Sequence, residues 1–97
     1  MIEYTRTSES AIGYGNYVLY FTAAWCGPCK ALKPQIQKLS KMTDTPIFVI
    51  DVDEADPGVV DLWKVQSIPT LFKITSDESV TRLTSRTADK LLEEINA

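Results

Sequence analysis

Two cysteines three residues apart are the most chemically suggestive feature of this 97-residue chain. Cys26 and Cys29 are its only cysteines, and the turn dipeptide Gly27-Pro28 separates them. The continuous apolar run at 17–21 leads into the pair, and a helical pattern of apolar residues follows it. We therefore predict that the pair lies where a strand ends and a helix begins.

This placement favours thiol chemistry. The first N–H groups of a helix have no partner inside it, and the helix dipole places partial positive charge there. A thiol at that point ionises more easily, and the thiolate is the reactive form. A rise of about 1.5 Å per residue puts the two Cα atoms roughly 5 Å apart, within disulfide range. We expect a reversible dithiol, with Cys26 as the exposed nucleophile and Cys29 as the buried resolving thiol.

The residues around the pair resemble a known family. The run Phe-Thr-Ala-Ala-Trp-Cys-Gly-Pro-Cys-Lys at 21–30 is similar to the active site of the thioredoxin family, in the form seen in plant cytosolic members. Pro34 falls where that family has a kinking proline, and Ile68-Pro69-Thr70 resembles the segment that holds its cis-proline. The resemblance covers about residues 17–95. It implies a single α/β domain over 1–97 with the thioredoxin fold: a central mixed sheet of about five strands, flanked by about four helices of which the first is shortened.

The resemblance also implies a function. It predicts a thiol–disulfide oxidoreductase that reduces protein disulfides without a cofactor and is itself reduced by a thioredoxin reductase. The bond between Ile68 and Pro69 is expected to be cis. The residues expected to form the groove for the substrate peptide are Trp25, Gly27, Pro28, Ile68, Pro69 and Ser85.

The chain departs from the family at a buried position. Tyr20 stands six residues before Cys26, where the family has a buried Asp that is thought to move the proton of the second cysteine. The Lys that usually pairs with this Asp falls on Val49 or Ile50. A single buried charge is costly, so the joint loss of both partners is physically consistent. In the expected groove, Ser85 replaces a common glycine.

Composition limits the other functions. The chain has no histidine, which excludes Cys-His and Ser-His-Asp catalysis and leaves too few ligands for a structural zinc site. The net charge of −3 comes with scattered basic residues and gives no sign of nucleic-acid binding. No apolar run approaches the ~20 residues of a membrane span. The acidic residues at 51–56 lack the EF-hand pattern and are interpreted as a solvated strand end and a helix cap. We expect a cytoplasmic monomer.

Hydrophobic patterns predict the elements. Thr7 or Ser8 is expected to cap one or two helical turns, Asp56 to cap a helix that runs from Pro57 to about Val65, and Thr87 to cap the last helix. In the last hairpin turn, Asp77 stands near the place of a family glycine. Strands are predicted at 2–5, 17–22, 47–50, 70–74 and 79–83, and the main helix at 27–42.

Two alternative functions remain open at this stage. A glutaredoxin-like or isomerase-like exchanger would share the dithiol, although Gly-Pro between the cysteines disfavours it, and its reduction potential would identify it. A binding subunit with the same fold and incidental thiols would hold a partner even with both cysteines changed to serine.

Overall fold

A five-stranded mixed sheet forms the centre of the computed structural model, which describes all 97 residues. The strand order is β1-β3-β2-β4-β5, in which the first three strands are parallel and β4 and β5 run antiparallel to their neighbours. The predicted central mixed sheet of about five strands is confirmed. The strands are β1 (Ile2–Thr5), β2 (Tyr17–Thr22), β3 (Ile47–Asp51), β4 (Thr70–Ile74) and β5 (Val80–Leu83).

Three α-helices and one short 3₁₀ helix accompany the sheet, rather than about four regular helices. They are α1 (Gly27–Met42), α2 (Val59–Leu62), α3 (Ala88–Asn96) and the 3₁₀ helix Ser8–Ala11. The hydroxyl of Thr7 caps the 3₁₀ helix by accepting the N–H of Glu9. Thr87 takes the predicted N-cap position of α3, but its side chain makes no capping hydrogen bond. No helix has the length and apolarity that crossing a membrane would require.

Alternating residues of β2 enter two different cores. Val18 and Tyr20 pack against α1 and α3 on one face of the sheet, while Leu19 and Phe21 pack on the other face with the 3₁₀ helix and α2. All four are at most 3% exposed. A strand buried on both faces shows no polar alternation, which explains the continuous apolar run. The two cores together fix β2, and hence the position at which the chain enters the cysteine motif.

The second helix begins later than predicted. Asp56 and Pro57 do not start it, because α2 begins at Val59 after Gly58, whose φ of 86° is left-handed. Asp56 is engaged elsewhere: its N–H donates to the Arg6 carbonyl at 2.9 Å, and its carboxylate lies 3.3 Å from the Arg6 guanidinium. The carboxylate that could have capped the helix instead ties this loop to the N-terminal segment, and α2 is shortened to four residues.

The turn between β4 and β5 contains one residue with left-handed backbone, Glu78, with φ of 67°. It directly follows Asp77, the residue expected near the place of a family glycine. Asp77 accepts hydrogen bonds from the Thr75 hydroxyl and, at 3.2 Å, from the Ser79 N–H. These bonds hold the turn closed and leave a residue with a Cβ in a conformation that favours glycine.

We predict that Glu78→Gly stabilises the protein. Left-handed backbone costs a non-glycine residue roughly 1–3 kcal/mol, and the extra flexibility of glycine in the unfolded chain cancels about 1 kcal/mol of the gain. Urea denaturation should therefore give a free energy of unfolding higher by about 1 kcal/mol, with an unchanged m-value. The matched change Ser76→Gly, in the same turn, should lower it. Equal destabilisation by both variants would contradict the strain at Glu78.

Candidate active site

Cys26 is the N-cap of α1. Its backbone is extended (φ −84°, ψ 112°), and its Sγ accepts the N–H of Cys29 at 3.2 Å, where an Asp or Ser side chain would serve in an ordinary cap. The two cysteines are joined by a disulfide with their Cα atoms 5.2 Å apart, as the helical spacing predicted. The same N–H would stabilise negative charge on Cys26 in the reduced state, because hydrogen bonds to a thiolate favour the ionised form.

Burial does not separate the two sulfurs in the disulfide form. Cys26 is 4% exposed and Cys29 is 3% exposed, because both pack with Ala23 against Val52 and Ile68. The expected contrast between an exposed and a buried cysteine is therefore absent from this state. The roles of nucleophile and resolving thiol stay predictions for the reduced protein.

The segment Ile68-Pro69 lies opposite the cysteines. The peptide bond between them is cis, as predicted, and Pro69 is buried. The carbonyl oxygen of Ile68 is 3.8 Å from Sγ of Cys26. This carbonyl precedes β4 and has no partner in the sheet ladder, so it is available to the backbone of an extended peptide placed over Cys26.

Trp25 stands beside the disulfide with 67% of its surface exposed. Its indole N–H donates to Oδ2 of Asp53 at 2.7 Å, and the N–H of Asp53 donates to Oδ1 of Asp51 at 2.8 Å. The sequence interpretation gave Asp53 no role. The sequence could have indicated this contact, because β2 and β3 are parallel neighbours. Trp25 follows β2 and Asp53 follows β3, so both lie at the same end of the sheet. Asp53 fixes the orientation of a large apolar side chain next to the thiols.

Tyr20 lies beneath the second cysteine. It is 3% exposed, and its hydroxyl donates to the carbonyl of Cys29 at 3.4 Å. Burial raises the pKa of its phenol, and the Thr22 hydroxyl and the Arg86 charge offset only part of that rise. Tyr20 is therefore neutral at physiological pH and cannot act as a base there. Val49 faces it directly across the sheet, which places the apolar counterpart at Val49 and not at Ile50.

The loop after β5 is held from below by α3. The carboxylate of Glu94 accepts the N–H of Ser85 at 2.9 Å and the N–H of Thr84 at 3.1 Å. Burial raises the pKa of Glu94, but these hydrogen bonds outweigh it and leave the pKa below its usual value. No hydrogen bond joins Ser85 to the cysteines or to Ile68, so its place in the groove stays a prediction. The role of Glu94 depends on its contact with Ser85, nine residues earlier in the chain. No local sequence pattern predicts this contact.

Gly27 and Pro28 are exposed at the start of α1. A Cβ added to Gly27 would meet no atom within 4 Å, so the glycine is not required by packing inside this chain. The space beside its Cα is open. No group of three or more His, Cys, Asp or Glu side chains is arranged to hold a metal ion.

Comparisons with known proteins agree with this geometry. The model of the family described as Thioredoxin matches residues 6–97. The chain belongs to the thioredoxin family. Rice (Oryza sativa subsp. japonica) Thioredoxin H2-2 is 35% identical over 80 residues, which cover 81% of this chain and 59% of the rice protein. Thioredoxin-2 of Saccharomyces cerevisiae is 37% identical over 78 residues, which cover 77% of this chain and 74% of the yeast protein.

The solved structures confirm the thioredoxin fold. Fasciola hepatica thioredoxin superposes with a TM-score of 0.82 at 27% identity, and the match covers 97% of this chain and 96% of the fluke protein. By contrast, the chain spans about three fifths of the length of the rice thioredoxins that it matches. The family and the fold are thus shown. The prediction of a thioredoxin fold with a Trp-Cys-Gly-Pro-Cys motif is confirmed.

We predict that Cys26 is the more reactive thiol after reduction. Its sulfur accepts a hydrogen bond from the Cys29 N–H, which favours the ionised form. The reduced protein, treated with limiting iodoacetamide at pH 7 and digested, should carry label mainly on Cys26 by mass spectrometry. Denatured reduced protein is the control and should label both thiols about equally. Preferential labelling of Cys29 in the folded protein would refute the assignment.

We predict that Glu94→Gln weakens the loop at neutral pH. Because its folded pKa is lowered, Glu94 contributes stability above its unfolded pKa and loses it as the pH falls through the folded value. Glu94→Gln should lower the free energy of unfolding at pH 7 by about 1 kcal/mol, a small value because the group is partly solvated.

The difference between Glu94→Gln and wild type should shrink as the pH falls from 5 to 3, measured by urea denaturation at each pH. Glu93→Gln, at an exposed neighbouring position with no hydrogen bond to the loop, is the matched control and should change little. A pH-independent difference would show that the Glu94 charge does not hold the loop.

Proposed function

We propose that this protein reduces disulfide bonds in other proteins through the Cys26–Cys29 dithiol. The single observation that carries the proposal is the bonded pair at the N-terminus of α1, capped by the Cys29 N–H and faced by the Ile68 carbonyl. This arrangement combines a sulfur that is stabilised as a thiolate with a backbone acceptor that aligns a peptide. Membership of the thioredoxin family supports the same chemistry.

The first step is attack by the Cys26 thiolate on one sulfur of a target disulfide. A bond forms between Cys26 and that sulfur, the target disulfide breaks, and the second target sulfur leaves as a thiolate that takes a proton from water. The Cys29 N–H stabilises the attacking charge before bond formation. The Ile68 carbonyl would accept an N–H of the target backbone, which orients the disulfide above Cys26.

The second step closes the internal disulfide. Cys29 loses its proton and attacks Sγ of Cys26, which releases the first target sulfur as a second thiolate. The dithiol gives up two electrons and the target disulfide gains them. The Cα separation of 5.2 Å lets this bond form without rearrangement of the helix.

Target recognition in this proposal uses an apolar hollow beside Trp25. The hollow encloses about 380 Å³ and can accept an apolar side chain next to the target cysteine. The Asp53 carboxylate holds Trp25 as one wall. The hollow is lined by Trp25, Val52, Val60, Val65, Gln66, Ser67 and Ile68.

The cellular setting belongs to the same proposal. A thioredoxin reductase would return the Cys26–Cys29 disulfide to the dithiol, in keeping with the family. We further propose that the protein acts as a monomer in the cytoplasm, because a reducing compartment keeps a close cysteine pair available for exchange.

The proposed activity is tested by trapping. We expect the reduced wild-type protein to reduce a protein disulfide such as that of insulin, and Cys26→Ser to be inactive. Cys29→Ser should instead accumulate a mixed disulfide through Cys26, because the resolving thiol is missing. The readouts are free thiol released and intact mass under non-reducing conditions.

The double variant Cys26→Ser, Cys29→Ser separates reductase from binding subunit. A partner that this variant retains as firmly as wild type, together with no mixed disulfide from Cys29→Ser, would favour the binding subunit and contradict the reductase. A measured potential close to those of glutaredoxins or isomerases, above roughly −230 mV, would favour the alternative exchangers.

A further inference from the structure

A cavity of about 280 Å³ reaches Cys29 from the side of the sheet away from the apolar hollow beside Trp25. Its inner wall contains the buried residues Cys29, Tyr20 and Val49. Its mouth contains exposed residues of α1, among them Lys30 and Lys33. The cavity therefore connects the second cysteine with the surface by a route separate from the apolar hollow that the proposed function assigns to the target. At about 30 Å³ per molecule, it has room for several waters.

The proposed second step requires such a route. Cys29 must lose its proton while Cys26 is covered by the target, since only the thiolate attacks. Tyr20 cannot accept that proton, because burial keeps its phenol neutral and its hydroxyl is already directed to the Cys29 carbonyl. Val49, opposite Tyr20, carries no titratable group. The cavity offers a route to another acceptor.

Asp51 contributes the one carboxylate among the residues that line this cavity. It ends β3 and is partly buried. Its Oδ1 accepts the Asp53 N–H at 2.8 Å, which fixes the orientation of the carboxyl group. A fixed carboxylate at the wall of a polar-mouthed cavity orders water by accepting hydrogen bonds from it.

We propose that the cavity is the proton exit of Cys29 and that Asp51 is the positioning residue that operates it. The inference rests on the proposed disulfide reduction. In the mixed disulfide, the Cys29 proton passes to a cavity water, and that water passes a proton to the Asp51 carboxylate, which returns it to bulk solvent. Cys29 Sγ then bonds to Cys26 Sγ, and the Cys26–target bond breaks. The departing target thiolate takes up one proton, so charge and protons balance.

The other charged and titratable groups at this cavity assist the same step. Lys30 and Lys33 of α1 place positive charge at its mouth, which favours a thiolate at Cys29 over the neutral thiol. Tyr4 of β1 and Tyr20 of β2 complete the titratable groups of the lining. Among these groups, only the Asp51 carboxylate, in its ionised form, accepts hydrogen bonds and has no proton to donate.

Asp51→Asn is the decisive variant. Asn keeps an oxygen for the Asp53 N–H and so preserves the turn that orients Trp25, but it removes the charge and the basicity. Reduced protein is mixed with oxidised glutathione, quenched in acid at set times, and the mixed disulfide is followed by intact mass. Formation of the mixed disulfide should stay within about twofold of wild type. Its resolution at pH 7 should slow about tenfold, below the 10²–10⁴-fold of a direct base because water intervenes.

Three further readouts separate proton relay from a structural role. The Asp51→Asn deficit should shrink towards pH 9, where more Cys29 is already ionised. Added formate, a carboxylate small enough for the cavity, should restore resolution in Asp51→Asn as its concentration rises. Asp51→Glu should restore part of the rate. Asp44→Asn removes an equal charge at the opposite end of α1 and should leave both steps unchanged.

Resolution by Asp51→Asn at the wild-type rate from pH 6 to 8 would overturn the inference. So would a deficit that formate does not repair and pH does not alter, or one that Asp44→Asn shares. Failure of the proposed function is recognised separately, because Cys29→Ser would then form no mixed disulfide with glutathione. That result would overturn both.

Discussion

The hydrogen bond from the Cys29 N–H to the Cys26 sulfur is the interaction around which this molecule is organised. It exists only if Cys26 sits at the first position outside a helix, and that position is set by where β2 ends. The strand is held on both faces by separate cores, so its end cannot shift without disrupting both. A small shift of the strand would remove the cap, the alignment with Ile68 and the disulfide geometry together. The rigidity of the sheet is thus a condition for the chemistry of one sulfur.

Much of the fold follows from local pattern. The doubly buried β2 and β3 and the long α1 were predictable because their apolar pattern reflects the layers that cover them. The last hairpin was predictable because the connection between its strands is too short for a crossover. The geometry of the cysteine pair was predictable from its spacing at the start of a helical pattern. The cis bond at Pro69 and the apolar surroundings of Tyr20 were predictable only through the resemblance to the thioredoxin family, because each residue could be compared with a position of the family.

The predictions failed where a distant contact overrides a local signal. Asp56-Pro57 has the pattern of a helix start, yet Arg6, fifty residues earlier in the chain, engages Asp56 and the helix begins at Val59. Asp53 and Glu94 acquire their roles only when separate elements meet at the sheet edge or beneath a loop. The periodicity of apolar residues in the sequence does not predict such contacts.

The apolar pairing of Tyr20 with Val49 has a consequence for how this chain can change. The two residues face each other in register, so an ion pair could occupy their place only if both were replaced. Either single replacement by a charged residue would bury an unpaired charge, at a cost of several kcal/mol, against a total stability of about 5–15 kcal/mol for a typical domain. A charged residue introduced at Tyr20 alone or at Val49 alone would therefore destabilise the fold. A change from the neutral pair to an ion pair requires two simultaneous substitutions. Single charge changes are better tolerated at the rim of the cavity, where charges remain in contact with water.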